Sequence, residues 1–135
     1  MASILVVDDD KDVVELLKFT LEKAGHTVAG AFSGAEALQV IGVDPPQAGI
    51  PLPDLIILDI MMPVMDGYTT AARLRENQDT RSIPLVIVTA KGKMRDIFEP
   101  ASNVKAYIEK PFDPNQLRDL VSRLLPDGSK RPDGD

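Results

Sequence analysis

The sequence predicts a doubly wound α/β fold built on five parallel strands, and three observations carry that expectation. Short apolar runs alternate five times with amphipathic segments along the chain. Three of the runs are nearly continuous in Val, Ile and Leu, as in strands covered on both faces. Four of the runs end on a polar residue, which in a parallel sheet brings those residues to one rim.

The first strand is expected over residues 4–7, followed by a helix over 11–23. Gly25 follows that helix where a left-handed C-cap fits. The second strand is placed at 27–31. Ser33 and Glu36 then form a capping-box pattern that starts a helix over 34–41. Residues 43–53 hold four prolines and a glycine, and predict an extended loop before the third strand at 55–58. Asp66 and Gly67 read as a helix cap and a loop turn before a helix over 67–77. The fourth strand is expected at 85–88 and the fifth at 106–108. Between them, residues 91–105 carry Gly92 and Pro100 with little amphipathic period, which predicts a short or irregular helix. Asp113, Pro114 and Gln116 open the last helix, over 114–125, with proline at the first helical position, where its missing N–H costs nothing. One domain is expected over 1–125, with 126–135 a flexible tail or linker stub.

Composition sets the limits of function. The chain has 135 residues, 44% of them apolar, enough for a substantial core. It has no cysteine, which excludes a disulfide framework, a thiolate zinc site and a cysteine nucleophile. The formal charge of −6 makes it a poor binder of nucleic-acid backbone and points to cations or basic partner surfaces. No apolar run approaches the roughly 20 residues that span a bilayer. With no basic-then-apolar leader in view, a cytoplasmic location is expected and no membrane partner.

The rim carries the chemistry. The first strand runs into Asp8, Asp9 and Asp10, the third into Asp59, the fourth into Thr89 and the fifth into Lys110. Clustered carboxylates suit a hard cation such as Mg²⁺, which takes oxygen ligands and a phosphate oxygen. One dication and one lysine balance three carboxylates, which would otherwise favour protonation of one of them. That arrangement suits phosphoryl transfer, where catalysis is mainly positioning and charge stabilisation.

In this order and at strand ends, a set of short segments resembles the receiver domains of two-component response regulators over residues 3–125. The segments are Val6-Val7-Asp8-Asp9, Leu58-Asp59 with Met62-Pro63 and Asp66-Gly67, Val88-Thr89-Ala90, and Lys110-Pro111-Phe112. The resemblance implies a flavodoxin-like sheet of order 2-1-3-4-5. It also implies that Asp59 is the phosphoacceptor, fed by a histidine kinase or phosphotransfer protein. Asp9 would ligate Mg²⁺ directly, Asp8 largely through water, and Met61 through its backbone carbonyl. Lys110 would pair with a phosphate oxygen, with its bond to Pro111 cis. Thr89 would turn toward the phosphoryl group and Tyr107 swing in behind it, so that an unknown downstream protein reads the change. Such a domain is a phosphoacceptor that assists its own phosphorylation and dephosphorylation, not an enzyme acting on a separate substrate.

Other readings stand beside this one. Asp8, Asp9 and Asp10 also fit a solvated turn with Asp10 as N-cap, and Tyr107 fits plain packing. Asp8-x-Asp10 also matches the nucleophile motif of haloacid-dehalogenase-type phosphatases, which leaves Asp59 unexplained and lacks the acidic pair that family places after its lysine. A phosphate-independent pseudo-receiver, acting as a binding module, is a further alternative. Met61 and Lys91, each two residues beyond a rim residue, are expected to set the phosphoryl lifetime. His26, away from the acidic rim, reads as structural. In the family that the chain resembles, helix four, strand five and helix five form a common dimer and partner face. Pro100 and the lack of a Gly-Ala pair before Tyr107 depart from that pattern, so a monomer or weak dimer is expected, with a mobile face over 93–103 that orders on phosphorylation or binding.

Overall fold

The computed structural model describes residues 2–90 and 103–125. Its element order is β1 (Ser3–Val7), α1 (Lys11–Lys23), β2 (Thr27–Ala31), α2 (Gly34–Val40), β3 (Leu55–Asp59), α3 (Gly67–Glu76), β4 (Leu85–Thr89), β5 (Val104–Glu109) and α4 (Pro114–Leu124). The strands form one parallel sheet of order β2-β1-β3-β4-β5, the doubly wound order expected. The short or irregular helix expected within 91–105 falls mostly on 91–102, outside the described residues, as do Lys91 and the tail 126–135.

The alternation of side chains along a strand divides the core in two. Leu5, Val7, Ile56, Leu58, Leu85 and Ile87 face one side and pack with Ala37, Leu38 and Ile41 of the second helix and its cap, and with Ala71 and Leu74 of α3. Ile4, Val6, Leu55, Ile57, Val86 and Val88 face the other side, against Val14, Leu17 and Leu21 of α1 and Leu117 and Val121 of α4. This two-sided burial is why β1, β3 and β4 read as apolar runs, and each fully buried Leu or Ile stabilises by about 1.5–3 kcal/mol. The edge strand β5 is only partly covered by described residues and extends over Val104–Glu109, longer than its apolar run.

The helix starts follow the expected local chemistry. Asp10, Ser33, Asp66 and Asp113 each accept a hydrogen bond from a first-turn N–H. The Glu36 carboxylate reaches back past Ser33 to the Phe32 N–H, at 2.7 Å, so the box is closed one residue earlier than in its usual form. Gly25 closes α1 with φ of 100°, as a left-handed C-cap requires.

The proline-rich loop is more built than its composition suggests. Its Asp44–Pro45 bond is cis, Val43 bridges Pro46, and Gln47 donates its N–H to the Gly42 carbonyl at 2.9 Å. Arg73 of α3 holds Asp44 at 2.9 Å, which ties the loop to the end of the sheet opposite the acidic rim.

Candidate functional site

Four strand ends converge at the carboxyl rim. The Asp8 N–H donates to the Ala31 carbonyl at 3.1 Å, continuing the β1–β2 ladder one step beyond the strand. Its carboxylate then accepts the Asp10 N–H at 2.9 Å, while the Asp10 side chain turns away to cap α1 through Asp12. Asp9, between them, is exposed. Asp59 closes β3, only 3% exposed, and its Oδ1 accepts the Met61 N–H at 3.3 Å.

Lys110 reaches this cluster from 102 residues beyond Asp8. Its N–H donates to the Thr89 carbonyl at 2.7 Å, and its peptide bond to Pro111 is cis, as expected. The side chain crosses the rim so that Nζ donates to Asp8 Oδ2 at 3.1 Å and lies 3.7 Å from Asp59 Oδ2.

The charges are unevenly balanced. Burial pushes the Asp59 carboxyl up to about 6, and the neighbouring Asp8 charge adds to the rise. Lys110 and the Met61 N–H oppose that rise without cancelling it. Burial alone would lower the Lys110 pKa, but its hydrogen bond to Asp8 and the charges of Asp59, Asp8 and Asp10 raise it instead. One lysine therefore faces more negative charge than it neutralises.

Asp8, Asp9 and Asp59 each offer a carboxylate oxygen, and these oxygens lie within 4.8 Å of one another. Oxygen-only donors, a residual negative charge and one exposed member open to solvent fit a hard divalent cation.

The loop from β3 to α3 frames one side of the site. The Ile60 N–H donates to the Val88 carbonyl at 3.0 Å, and the Ile60 carbonyl accepts from Met62 and Gly67. A Cβ on Gly67 would stand 2.5 Å from the Asp59 carbonyl oxygen and 2.7 Å from Ile60 Cα. Glycine is required here by this close backbone approach, a tighter demand than the loop turn expected of it. At the tip, the Met65 N–H donates to the Pro63 carbonyl at 2.8 Å across Val64, whose φ is 70°. A three-residue turn with positive φ is the rare, strained γ form. A β-branched residue so held costs about 1–3 kcal/mol.

The remaining candidates are placed as follows. Thr89 is buried at the end of β4. Tyr107 pairs with Ile87, two residues before Thr89, and packs half-buried against the cluster containing Leu85 and Ile87. Its place fits both the switch and the packing reading. Met61 is exposed beside the carboxylates. His26 accepts the Ala2 N–H at 3.4 Å near the start of β2, away from the rim, consistent with a structural role. Because Asp10 is occupied in capping, the Asp8-x-Asp10 pair does not present two carboxylates to one substrate, as the phosphatase alternative requires. Two features escaped sequence reasoning: the strain at Val64, and the reach of Lys110 to Asp8 ahead of Asp59. Pro63 before an exposed tip was the one available hint of the first.

Among the described residues, open apolar depressions flank the rim on two sides. One, of about 470 Å³, is lined by Val13, Leu16, Ala90, Lys110, Pro111 and Phe112. The other, of about 510 Å³, follows the β3–α3 loop through Met61, Pro63 and Tyr68.

A five-stranded doubly wound sheet with acidic and basic side chains at one rim defines a receiver-type architecture, and comparison with known proteins agrees. The family model described as the response regulator receiver domain matches residues 4–122, and the chain belongs to that family. It is 36% identical over 126 residues to the DNA-binding dual master transcriptional regulator RpaA of Synechocystis sp., covering 93% of this chain and 49% of that protein. The solved signal receiver domain of a signal transduction histidine kinase from Syntrophus aciditrophicus superposes with a TM-score of 0.80. It shares 33% identity and covers 97% of this chain and 94% of that one. A putative response regulator from Chloroflexus aurantiacus gives a TM-score of 0.76 at 36% identity, covering 90% of this chain and 95% of that one. The chain spans about half the length of the curated relatives it matches. No helix among the described residues is long and apolar enough to cross a membrane.

Proposed function

We propose that the protein accepts a phosphoryl group on Asp59 from a phosphohistidine of a histidine kinase or phosphotransfer protein, and controls a downstream protein through the resulting change of shape. The observation that carries this reading is the meeting of buried Asp59 with Asp8, Asp9 and Lys110 at one rim. Asp8, Asp9 and Asp59, with the Met61 carbonyl, would hold Mg²⁺. When bound, the ion supplies positive charge that keeps Asp59 ionised and offsets the incoming phosphoryl oxygens.

The chain's own residues do the rest. Asp59 presents a carboxylate oxygen in line with the phosphorus, so a new O–P bond forms as the P–N bond breaks. The imidazole nitrogen keeps the electron pair and takes a proton from solvent. Lys110, already 3.7 Å from Asp59 Oδ2, shifts toward a phosphoryl oxygen and holds its charge. Thr89 adds a hydroxyl donor, and Tyr107 moves in as Thr89 turns. Met61 and Lys91 govern the approach of water to the acyl phosphate, and so its lifetime.

The apolar depression beside Lys110, continued on α1 by exposed Leu16 and Phe19, supports docking of a protein donor next to Asp59. We read the chain as a monomer or weak dimer that works in the cytoplasm and contacts no nucleic acid itself. Incubation with Mg²⁺ and acetyl phosphate tests the central reading. Intact mass should gain one phosphate, and the gain should be lost with EDTA or Asp59→Ala. If neither acetyl phosphate nor a cognate phosphohistidine adds the group, the phosphate-independent binding module takes its place.

A further inference from the structure

The loop that carries Met61 is closed through one strained residue whose own side chain makes no packing contact in return. Its ends are anchored: Met62 is buried, the Gly67 N–H bonds the Ile60 carbonyl at 2.9 Å, and the Met61 N–H bonds Asp59 at 3.3 Å. Between the anchors stand Pro63 and Val64, both exposed. The pyrrolidine ring fixes φ at Pro63, so the adjustment that closes the loop falls on Val64, at φ of 70°. Its side chain lies wholly in solvent and packs on nothing that would repay the strain. The turn is held by the short hydrogen bond from Met65 to Pro63 and by half-buried Met65, which packs on the core beneath it. Strain of about 1–3 kcal/mol set against one hydrogen bond and the packing of one half-buried side chain leaves closed and relaxed loops close in free energy.

We propose that Val64 is a positioning residue that limits Mg²⁺ binding, because its strained turn divides the free protein between a closed loop that takes the ion and a relaxed loop that does not. The proposal rests on the reading of Asp8, Asp9, Asp59 and Met61 as the Mg²⁺ site. The apparent dissociation constant is the intrinsic constant divided by the fraction in the closed form. A residue that accepts positive φ without strain raises that fraction and tightens binding. Glycine does so by lacking a Cβ, and asparagine by tolerating the left-handed region with less backbone freedom than glycine. The two therefore separate relief of strain from added flexibility.

The test is a titration of the metal-free protein with MgCl₂, followed by amide chemical shifts, for the native chain, Val64→Gly, Val64→Asn and Asp59→Ala. Both Val64 variants should bind Mg²⁺ about two- to tenfold more tightly than the native chain. A dissociation constant that stays the same or rises in either of them overturns the proposal. The Asp59→Ala arm reports on the site itself. If it leaves Mg²⁺ binding intact, or if the native chain binds none, the site reading fails and takes the inference with it. If Asp59→Ala abolishes binding while a Val64 variant does not tighten it, the inference alone fails.

Discussion

The Lys110 ammonium donates to Asp8 at 3.1 Å, closer than its 3.7 Å approach to Asp59. Lysine is thus committed to the carboxylate beside the one that would be phosphorylated. Asp59 is left with a burial penalty that its cationic neighbour only partly offsets, and its carboxyl rises to about 6.

Removing the lysine should expose that imbalance. Lys110→Met leaves Asp8 and Asp59 facing each other without the one cation that pairs with them among the described residues. It should destabilise the metal-free protein at pH 7 by about 1–3 kcal/mol, the range for an incompletely buried charge losing its partner. Urea denaturation in EDTA measures this, and the loss should shrink when Mg²⁺ is added, because the ion replaces part of the missing charge.

The pH dependence has a definite sign. The Asp59 pKa is raised in the folded state, so between about 4 and 6 the native protein binds more protons at this site than the unfolded chain. Its contribution to stability therefore falls as pH rises through that window, and the full penalty is present at pH 7. Asp59→Asn removes the charge and should stabilise the metal-free protein at pH 7 by roughly 2 kcal/mol. The advantage should fade toward pH 4. Denaturation of both proteins at pH 4, 5, 6 and 7, compared as a difference, isolates this group from the other carboxylates.

Gly67 should tolerate no side chain. In Gly67→Ala the new Cβ meets backbone atoms of Asp59 and Ile60, which cannot rotate away. A loss of about 1–3 kcal/mol is expected, as for other overpacked sites. Weaker Mg²⁺ binding should accompany it, since the displaced backbone carries Asp59 and leads into Met61. Denaturation and a Mg²⁺ titration read the two effects separately.

The ion pair between Arg73 and Asp44 should matter little. Both side chains are substantially exposed, and such pairs contribute about 0–1 kcal/mol. Arg73→Ala should lower stability by less than about 1 kcal/mol, with an effect that declines in high salt. Phosphoryl acceptance should be unchanged, because the loop it anchors lies opposite the rim.

How much of this was legible in the sequence depended on the physics behind each feature. Strands β1, β3 and β4 were plain because burial on both faces leaves only Val, Ile and Leu along them. Asp59 and Thr89 stood out because a polar residue ending such a run has few places to go except the rim, and Lys110 because it stands between a strand and a proline. Caps at Asp10, Ser33 and Asp113 were readable from short-range chemistry. Features set by the meeting of distant segments were not. Nothing local says that Lys110 will choose Asp8, or that Asp44 will find Arg73. Gly67 reads equally as a turn glycine and as one crowded by a neighbouring backbone, and only the packing decides. Val64 is the reverse case: a valine gives no signal of positive φ, because its composition argues against the conformation that the closed loop imposes.

The central claim is that Asp59 carries the phosphoryl group. Its most direct test is to phosphorylate the protein with Mg²⁺ and acetyl phosphate, reduce with borohydride, and map the product by peptide mass. Reduction converts an aspartyl phosphate to homoserine, so the account predicts homoserine at position 59 alone, and none without Mg²⁺. Homoserine at Asp8 or Asp9 instead, with Asp59 recovered unchanged, would contradict it.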